Sequence, residues 1–306
     1  MKKASFFDYV KIARIDHWFK NIFVIPGILC AWAFGGEVTF GSAWIIIVGL
    51  FIVSLAASAN YTINEWLDRD YDKFHPIKKN RPCVTLRFEP SLIYSQWVLL
   101  SAIGLVAGWF ISYGFFISLA TLIFMGIVYN VKPLRTKDRV YVDVLSESIN
   151  NPLRFMLGWY LCDPSVVMPS SLLLAYWFGG AFLMGMKRFA EFRTIGDISI
   201  AGSYRRSFQF YNEKSLLVSS FLYAIMSTNL LGIFMTKNKE EYILLIPFVG
   251  ILFAWYLVIS LSDQSTAQTP EKLYKEKNFT IFILFLSVLA VLLFFVEVPL
   301  VSLLFR

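Results

Sequence analysis

Residues 42–82 read SAWIIIVGLFIVSLAASANYTINEWLDRDYDKFHPIKKNRP, with no charge before Glu65 and a dense mixture of carboxylates and cations from there to Arg81. An apolar run of about 20 residues can cross the hydrocarbon core of a bilayer. A run that ends in charges is therefore expected to leave the membrane at its charged end. Working outward, further runs fall at 21–36, 92–111, 113–130, 142–162, 170–187, 215–235, 241–261 and 279–303. With 42–63 they predict nine spans, or eight if the Ser112-Tyr113-Gly114 turn joins two of them. The composition agrees. Of 306 residues 57% are apolar or aromatic and 16% are charged, and the mean hydropathy is +0.61. A soluble domain carries about 25% charged residues, so a soluble enzyme, a disordered tail and a fibrous repeat are excluded. Cys30, Cys83 and Cys162 are too scattered for a disulfide framework or a cysteine zinc site, and His17 and His75 are too few for a histidine-rich metal site. The fold class is all-α, a polytopic membrane helical bundle.

The loops sort the 28 Lys and Arg residues. Lys2, Lys3, Lys11, Arg14 and Lys20 precede or open the first span. Arg69, Lys73, Lys78, Lys79, Arg81 and Arg87 follow the second, and Lys132, Arg135, Lys137 and Arg139 follow the fourth. Lys187, Arg188, Arg193, Arg205, Arg206 and Lys214 follow the sixth, with Lys272, Lys275 and Lys277 before the last. These alternate segments hold 24 of the 28, while Lys237, Lys239 and Arg306 fall on the other side and Arg154 inside a span. Cytoplasmic loops attract Lys and Arg, so the N-terminus and the polar chemistry are expected on the cytoplasmic side of an inner membrane, with nine spans favoured over eight. Loops 37–41 and 163–169, on the opposite side, are short and nearly uncharged. Residues 1–19 lack a signal-peptide core and read as an amphipathic segment lying on the membrane.

On a helix, Asn64, Asp68 and Asp72 fall within about 80° of one another, with His75 on the same face before Pro76 ends it; Asp70 points elsewhere. Two carboxylates and an amide one turn apart at a membrane mouth suit Mg2+, which takes one or two carboxylates, keeps waters and completes its shell with substrate phosphates. Lys78, Lys79 and Arg81 add phosphate ligands. An ordinary mixed-charge loop is the alternative. The full pattern, N-[DE]-x-x-D-x-x-x-D-x-x-H-P-x-K-x-x-R-P, resembles the first aspartate motif of the UbiA superfamily of intramembrane prenyltransferases. Its H-P-x-K-x-x-R-P extension is most similar to the decaprenyl-phosphate phosphoribosyltransferase branch. Arg14-Ile-Asp-His17-Trp18-Phe-Lys20-Asn21 resembles that branch's R-P-x-Q-W-x-K-N. Glu65 stands where the family usually has Asp, and Cys83-Val84-Thr85 replaces its usual small residues. Tyr129-Asn130-Val131-Lys132-Pro133-Leu134-Arg135-Thr136-Lys137 is closer to the Y-S-x-x-P-L-R-x-K of general UbiA prenyltransferases.

Where those carry a second D-x-x-x-D, this chain has Lys187-Arg188-Phe-Ala-Glu191-Phe-Arg193, similar to the K-R-x-A-E of the phosphoribosyl branch. One metal site facing cations suits a donor with an extra phosphate; a Lys187–Glu191 pair on a basic loop is the plainer reading. In the span 142–162, Asp143, Glu147, Asn150, Asn151 and Arg154 lie within about 100° of one face of a continuous helix and are expected to line a cavity, with a Glu147–Arg154 structural pair as the alternative.

The resemblance implies one UbiA-like domain over 1–306, with chemistry on loops 64–91 and 187–214. It implies 5-phosphoribosyl transfer from phosphoribosyl pyrophosphate to a polyprenyl phosphate, with release of pyrophosphate. Asn64, Asp68 and Asp72 would be the catalytic and metal-holding residues. Lys20, His75, Lys78, Arg81, Arg135, Glu147, Arg154, Lys187, Arg188 and Glu191 would bind substrate, Lys20 steering the lipid head group. Transfer from a prenyl diphosphate to an aromatic or other acceptor is the nearest alternative, and a transporter or flippase the next. Expected partners are a membrane lipid and a phosphorylated sugar donor, with no nucleic acid; self-association stays open.

Overall fold

The computed structural model describes residues 2–34, 40–162, 167–262, 266–268 and 270–302. Parts of loops 37–41 and 163–169, the end of the expected span 279–303, and Arg306 lie outside them. Every regular element among the described residues is helical. Among the described residues six helices are long and apolar enough to cross a membrane: Ala43–Asp72, Pro90–Trp109, Tyr113–Asn130, Glu213–Asn238, Glu240–Leu261 and Lys277–Phe295. They match six of the nine expected spans, and the other three take a different form for local reasons.

The chain forms two compact units. The first comprises Met1–Met168 and Asp197–Tyr211. It begins with α1 (Phe6–Ile12), capped by Ser5, whose backbone N–H donates to Asp8 Oδ2 at 2.8 Å. Phe6 and Phe7 are exposed while Ile12 is buried. The expected span at 21–36 is instead a 3-10 stretch, Ile15–Val24, running into α2 (Ile25–Ala33). Pro26 explains the change, because it cannot donate back to Ile22 but is well tolerated in the first turn of a new helix. α3 (Phe40–Asp72) follows, then α4 (Pro82–Thr85), α5 (Pro90–Trp109) and α6 (Tyr113–Asn130). Ser112 caps α6 by accepting from the Phe115 N–H at 3.2 Å. The expected continuous span 142–162 is divided into α7 (Val142–Ser148) and α8 (Asn150–Cys162). Pro152 lacks the N–H that would reach the Ser148 carbonyl, so the ladder breaks there. The five polar residues predicted for one helix face are therefore split between two helices.

Two apolar clusters among the described residues help to hold this unit together. One joins Val24, Ile52, Val53, Ala56, Phe115, Leu119, Leu122, Leu153 and Leu157. The other lies beneath the charged end of α3 and joins Ile12, Ile63, Trp66, Cys83, Phe88 and Ile93. Where α2 meets α8, Gly27 and Gly158 let the backbones touch. A methyl on Gly27 would lie 2.0 Å from the Phe155 carbonyl oxygen, and one on Gly158 would lie 2.0 Å from that of Val24. Such small-residue contacts are the usual means of close helix packing in lipid. α10 (Ile198–Tyr204) completes the unit, its N-terminus capped by Asp197 Oδ1, which accepts from the N–H groups of Ser199 and Ile200.

The second unit comprises Pro169–Gly196 and Asn212–Arg306. Its helices are α9 (Ser170–Ile195), α11 (Glu213–Asn238), α12 (Ile246–Leu261), α13 (Lys277–Phe295) and α14 (Pro299–Ser302). α9, the expected span 170–187, is long enough to cross, but its serines, glycines and cationic end dilute the apolar run. It stops at Gly196, which takes φ +70°, the left-handed position that glycine adopts without penalty. α9 and α11 are linked by Ser227 Oγ donating to the Ala175 carbonyl at 2.8 Å. Phe182 meets Phe253 edge-on at 4.8 Å between ring centroids.

Candidate active site

The charged end of α3 organises the first unit's polar cluster. Asp68 Oδ1 accepts from Arg135 Nη2 at 3.0 Å and from Lys137 Nζ. Lys137 also donates to Asn130 Oδ1 at 2.7 Å, and the same oxygen receives Asn64 Nδ2 at 2.6 Å. Arg135 in turn donates through Nε to Asp138 Oδ2 at 3.0 Å and through Nη1 to the Asn130 carbonyl at 3.1 Å. The 130–138 segment thus closes over Asn64 and Asp68. Arg135 holds a backbone φ of +27°, a strained setting for a side chain that persists only where the surroundings enforce it. Burial pushes the Lys137 ammonium down to about 8, against the opposing pull of Asp68.

One turn further, Asp72 is 1% exposed and its Oδ2 accepts from Arg81 Nη1 at 2.6 Å. Burial opposes the charge on Arg81, yet Asp72 holds that guanidinium above its ordinary pKa. Asp70 is exposed and pairs with Lys73 at 2.8 Å, as its position off the motif face predicts. His75 is buried against Tyr204, with ring centroids 4.6 Å apart. Its Nδ1 accepts the N–H groups of Ile77 and Lys78, which turns the chain after α3. Lys78 Nζ donates to the Tyr204 hydroxyl. Glu65, seven residues before Asp72 and so about 20° from it around the helix, takes different partners. Its Oε2 accepts from Arg14 Nη2 at 2.9 Å and its Oε1 from the Cys83 N–H at 3.4 Å.

The polar residues of α7 and α8 fall into two groups, Asp143 and Glu147 joined through Arg205, which lies 3.7 Å from Asp143 Oδ2, and Arg154 apart from them. Asp143 accepts from Tyr211 at 2.7 Å and Ser207 at 3.1 Å. Arg205 donates to the Tyr129 hydroxyl at 3.1 Å, which donates to Glu147 Oε2 at 2.6 Å. Arg154 Nε reaches Asn21 Oδ1 at 3.4 Å, so its neighbour is the 3-10 stretch that also carries the half-buried Lys20. In the second unit, Arg188 Nη1 donates to Glu191 Oε2 at 3.0 Å, both side chains buried on α9.

Among the described residues no three His, Cys, Asp or Glu side chains form a metal cage. Hydrogen bonds there reach one oxygen of Asp68, one of Asp72 and the amide nitrogen of Asn64. Each side chain keeps an oxygen along one helix face. Hard oxygen donors of that number fit Mg2+ completed by water and phosphate.

The UbiA prenyltransferase family profile matches residues 22–289. The chain belongs to the UbiA prenyltransferase family. It is therefore a UbiA-family transferase and a multi-pass membrane protein. It is 26% identical over 278 residues to the decaprenyl-phosphate phosphoribosyltransferase of Mycolicibacterium smegmatis, covering 86% of this chain and 85% of that one. It is 27% identical over 204 residues to the protoheme IX farnesyltransferase of Geobacillus kaustophilus, covering 63% and 64%. The structure of a UbiA homolog from Archaeoglobus fulgidus bound to GPP and Mg2+ superposes with a TM-score of 0.69 at 18% identity, over 94% of this chain and 100% of that one.

Within this UbiA-family chain the first aspartate motif is divided in use. Asn64, Asp68 and Asp72 face the cationic cluster, while Glu65 fastens the N-terminal segment. Sequence reading named Arg135 but passed over Lys137, Asn130 and Tyr204. Lys137 stood in the quoted Tyr129–Lys137 motif, which was the available signal. Tyr204 carries no pattern that would single it out.

Proposed function

We propose that this UbiA-family transferase moves a 5-phosphoribosyl group from phosphoribosyl pyrophosphate to a polyprenyl phosphate, releasing pyrophosphate. The observation that carries the reading is the interleaving of acids and cations at the end of α3. Asp68 and Asp72 sit beside Arg135, Lys137 and Arg81, so oxygen donors for a metal and cations for phosphate oxygens share one surface. The 26% identity to the mycobacterial phosphoribosyltransferase over most of both chains supports this choice. So does the α9 sequence, with Lys187, Arg188 and Arg193 around Glu191 instead of a second carboxylate pair.

Asp68, Asp72 and Asn64 are assigned to hold Mg2+. The ion would offset the negative charge that builds on the departing pyrophosphate. Arg81, Lys78 and Arg135 hold phosphate oxygens, and Lys187, Arg188 and Glu191 are assigned to the donor's remaining phosphate. His75 fixes the turn that presents Lys78 and Arg81. Tyr129, held between Arg205 and Glu147, keeps Glu147 oriented toward substrate. Arg154, beside Asn21, and Lys20 guide the lipid head group. Departure of pyrophosphate leaves positive charge on the anomeric carbon of the ribose. The lipid phosphate is already anionic and attacks that carbon without a strong general base. The N-terminus and this surface are assigned to the cytoplasmic side of an inner membrane, with nine segments traversing or entering the bilayer.

The test is a membrane assay with Mg2+ and a choice of donors. Ribose-labelled phosphoribosyl pyrophosphate should put label into lipid, while labelled geranyl or longer prenyl diphosphates should not enter an aromatic acceptor. The opposite pattern would establish the prenyl-transfer alternative, which the Tyr129–Lys137 motif and the Geobacillus relative favour.

A further inference from the structure

A cavity of about 760 Å³ in the first unit is lined by Lys132, Pro133, Leu134, Arg135, Asp138 and Arg139 from the segment after α6, together with Arg206, Gln209 and Phe210. Its charges are unbalanced. Arg135 is neutralised by Asp68 and Asp138. Lys132, Arg139 and Arg206 are exposed and form no ion pair or side-chain hydrogen bond among the described residues. Loops facing the cytoplasm gather cations in general, but these three are brought around one concavity by segments about seventy residues apart in sequence. The cavity lies in the size range of small-molecule sites. Beside the cations stand an apolar group, Leu134, 45% exposed, and a broad aromatic one, Phe210, 70% exposed. The substrate assignments above use none of these residues except Arg135.

We propose that this cavity is a second anion site, which binds a phosphate group through Lys132, Arg139 and Arg206, with Leu134 and Phe210 placed to cover the chains where a lipid carries that phosphate. Three cations without counter-ions supply the charge that a phosphate mono- or diester requires, and arginine matches its oxygens two at a time. The phosphate is carried either by an anionic phospholipid or by a soluble ion such as pyrophosphate. Arg135 lines the cavity and also donates to Asp68, so the bound anion shares a residue with the α3 cluster.

Two probes separate the sources. Dihexanoyl phosphatidic acid, with dihexanoyl phosphatidylcholine as the neutral control, and inorganic pyrophosphate are titrated calorimetrically into the full-length protein in detergent. The triple variant Lys132→Gln/Arg139→Gln/Arg206→Gln should lose one binding site, with affinity there falling by about tenfold or more, since one charge-assisted contact already exceeds the 1.4 kcal/mol that corresponds to tenfold. Arg206→Gln alone should weaken the same site in the same direction. Lys2→Gln/Lys3→Gln/Lys11→Gln, which removes as much charge elsewhere, should leave it intact. Loss confined to phosphatidic acid identifies a lipid head group, loss confined to pyrophosphate identifies a soluble ion, and loss of both identifies a general phosphate site. The proposal is overturned if neither probe binds the parent protein, if the triple variant binds like the parent, or if the control triple loses the site as well.

Discussion

At the scale of single residues, Asp68 and Asp72 do different work from their neighbours at 65 and 70. Asp70 is a solvent-exposed partner of Lys73, and Glu65 is fully engaged with Arg14 and Cys83. Asp68→Asn and Asp72→Asn should each reduce kcat/KM for the donor by about 100-fold or more, equivalent to about 2.7 kcal/mol of lost transition-state stabilisation. Asp70→Asn should stay within about twofold, because an exposed pair of this kind contributes little. Steady-state assays of the three variants decide the matter, and equal losses in all three would refute the division. Lys137→Met removes the donor shared by Asp68 and Asn130 inside a buried cluster. It should lower stability by about 1–3 kcal/mol, the worth of hydrogen bonds made by a charged group, while Arg135 and Asn64 still reach the same two oxygens; the loss is seen as an earlier thermal transition of the purified protein. The motif's acids were legible from their spacing of four residues. Their cationic partners were not, because Lys137 lies 69 residues from Asp68 and no periodicity links positions that far apart.

At the scale of elements, the long apolar helices were legible because each is a single run bounded by charges or a turn. The departures trace to prolines. Pro26 divides the stretch 21–36, and Pro152 divides 142–162, each inside a run whose apolar length alone would suit a single span. The second break has a chemical result, since it lets Glu147 address Tyr129 while Arg154 addresses Asn21. The crossing of α2 and α8 depends on Gly27 and Gly158. Gly158→Val would force a side chain into the Val24 carbonyl and should cost about 1–3 kcal/mol or more, as overpacking does. Fluorescence-detected size-exclusion after heating should show the loss, whereas Gly250→Ala, which meets nothing within 4 Å, should melt like the parent.

At the scale of the whole molecule, the cation asymmetry makes a topological prediction. In a cysteine-free background, Lys79→Cys should be shielded from a membrane-impermeant thiol reagent added to intact cells, and Lys239→Cys should be labelled. The reverse pattern would put the α3 cluster on the outer face and deny it phosphorylated donors from the cytoplasm. Overall composition understated this arrangement, because a 16% charge content averages over long lipid-facing helices and a small, dense polar mouth.

The pairing of Glu65 with Arg14 gives the motif a mechanical side. A helix that presents Asn64, Asp68 and Asp72 on one face must not rotate about its axis, since a turn of one residue would swing them away together. Glu65, gripped by Arg14 on one oxygen and by the Cys83 backbone on the other, works as a locking pin against that rotation. The acid at position 65 therefore sets the aim of Asp68 and Asp72 through contacts that neither of them makes, one to the N-terminal segment and one to the segment after α3.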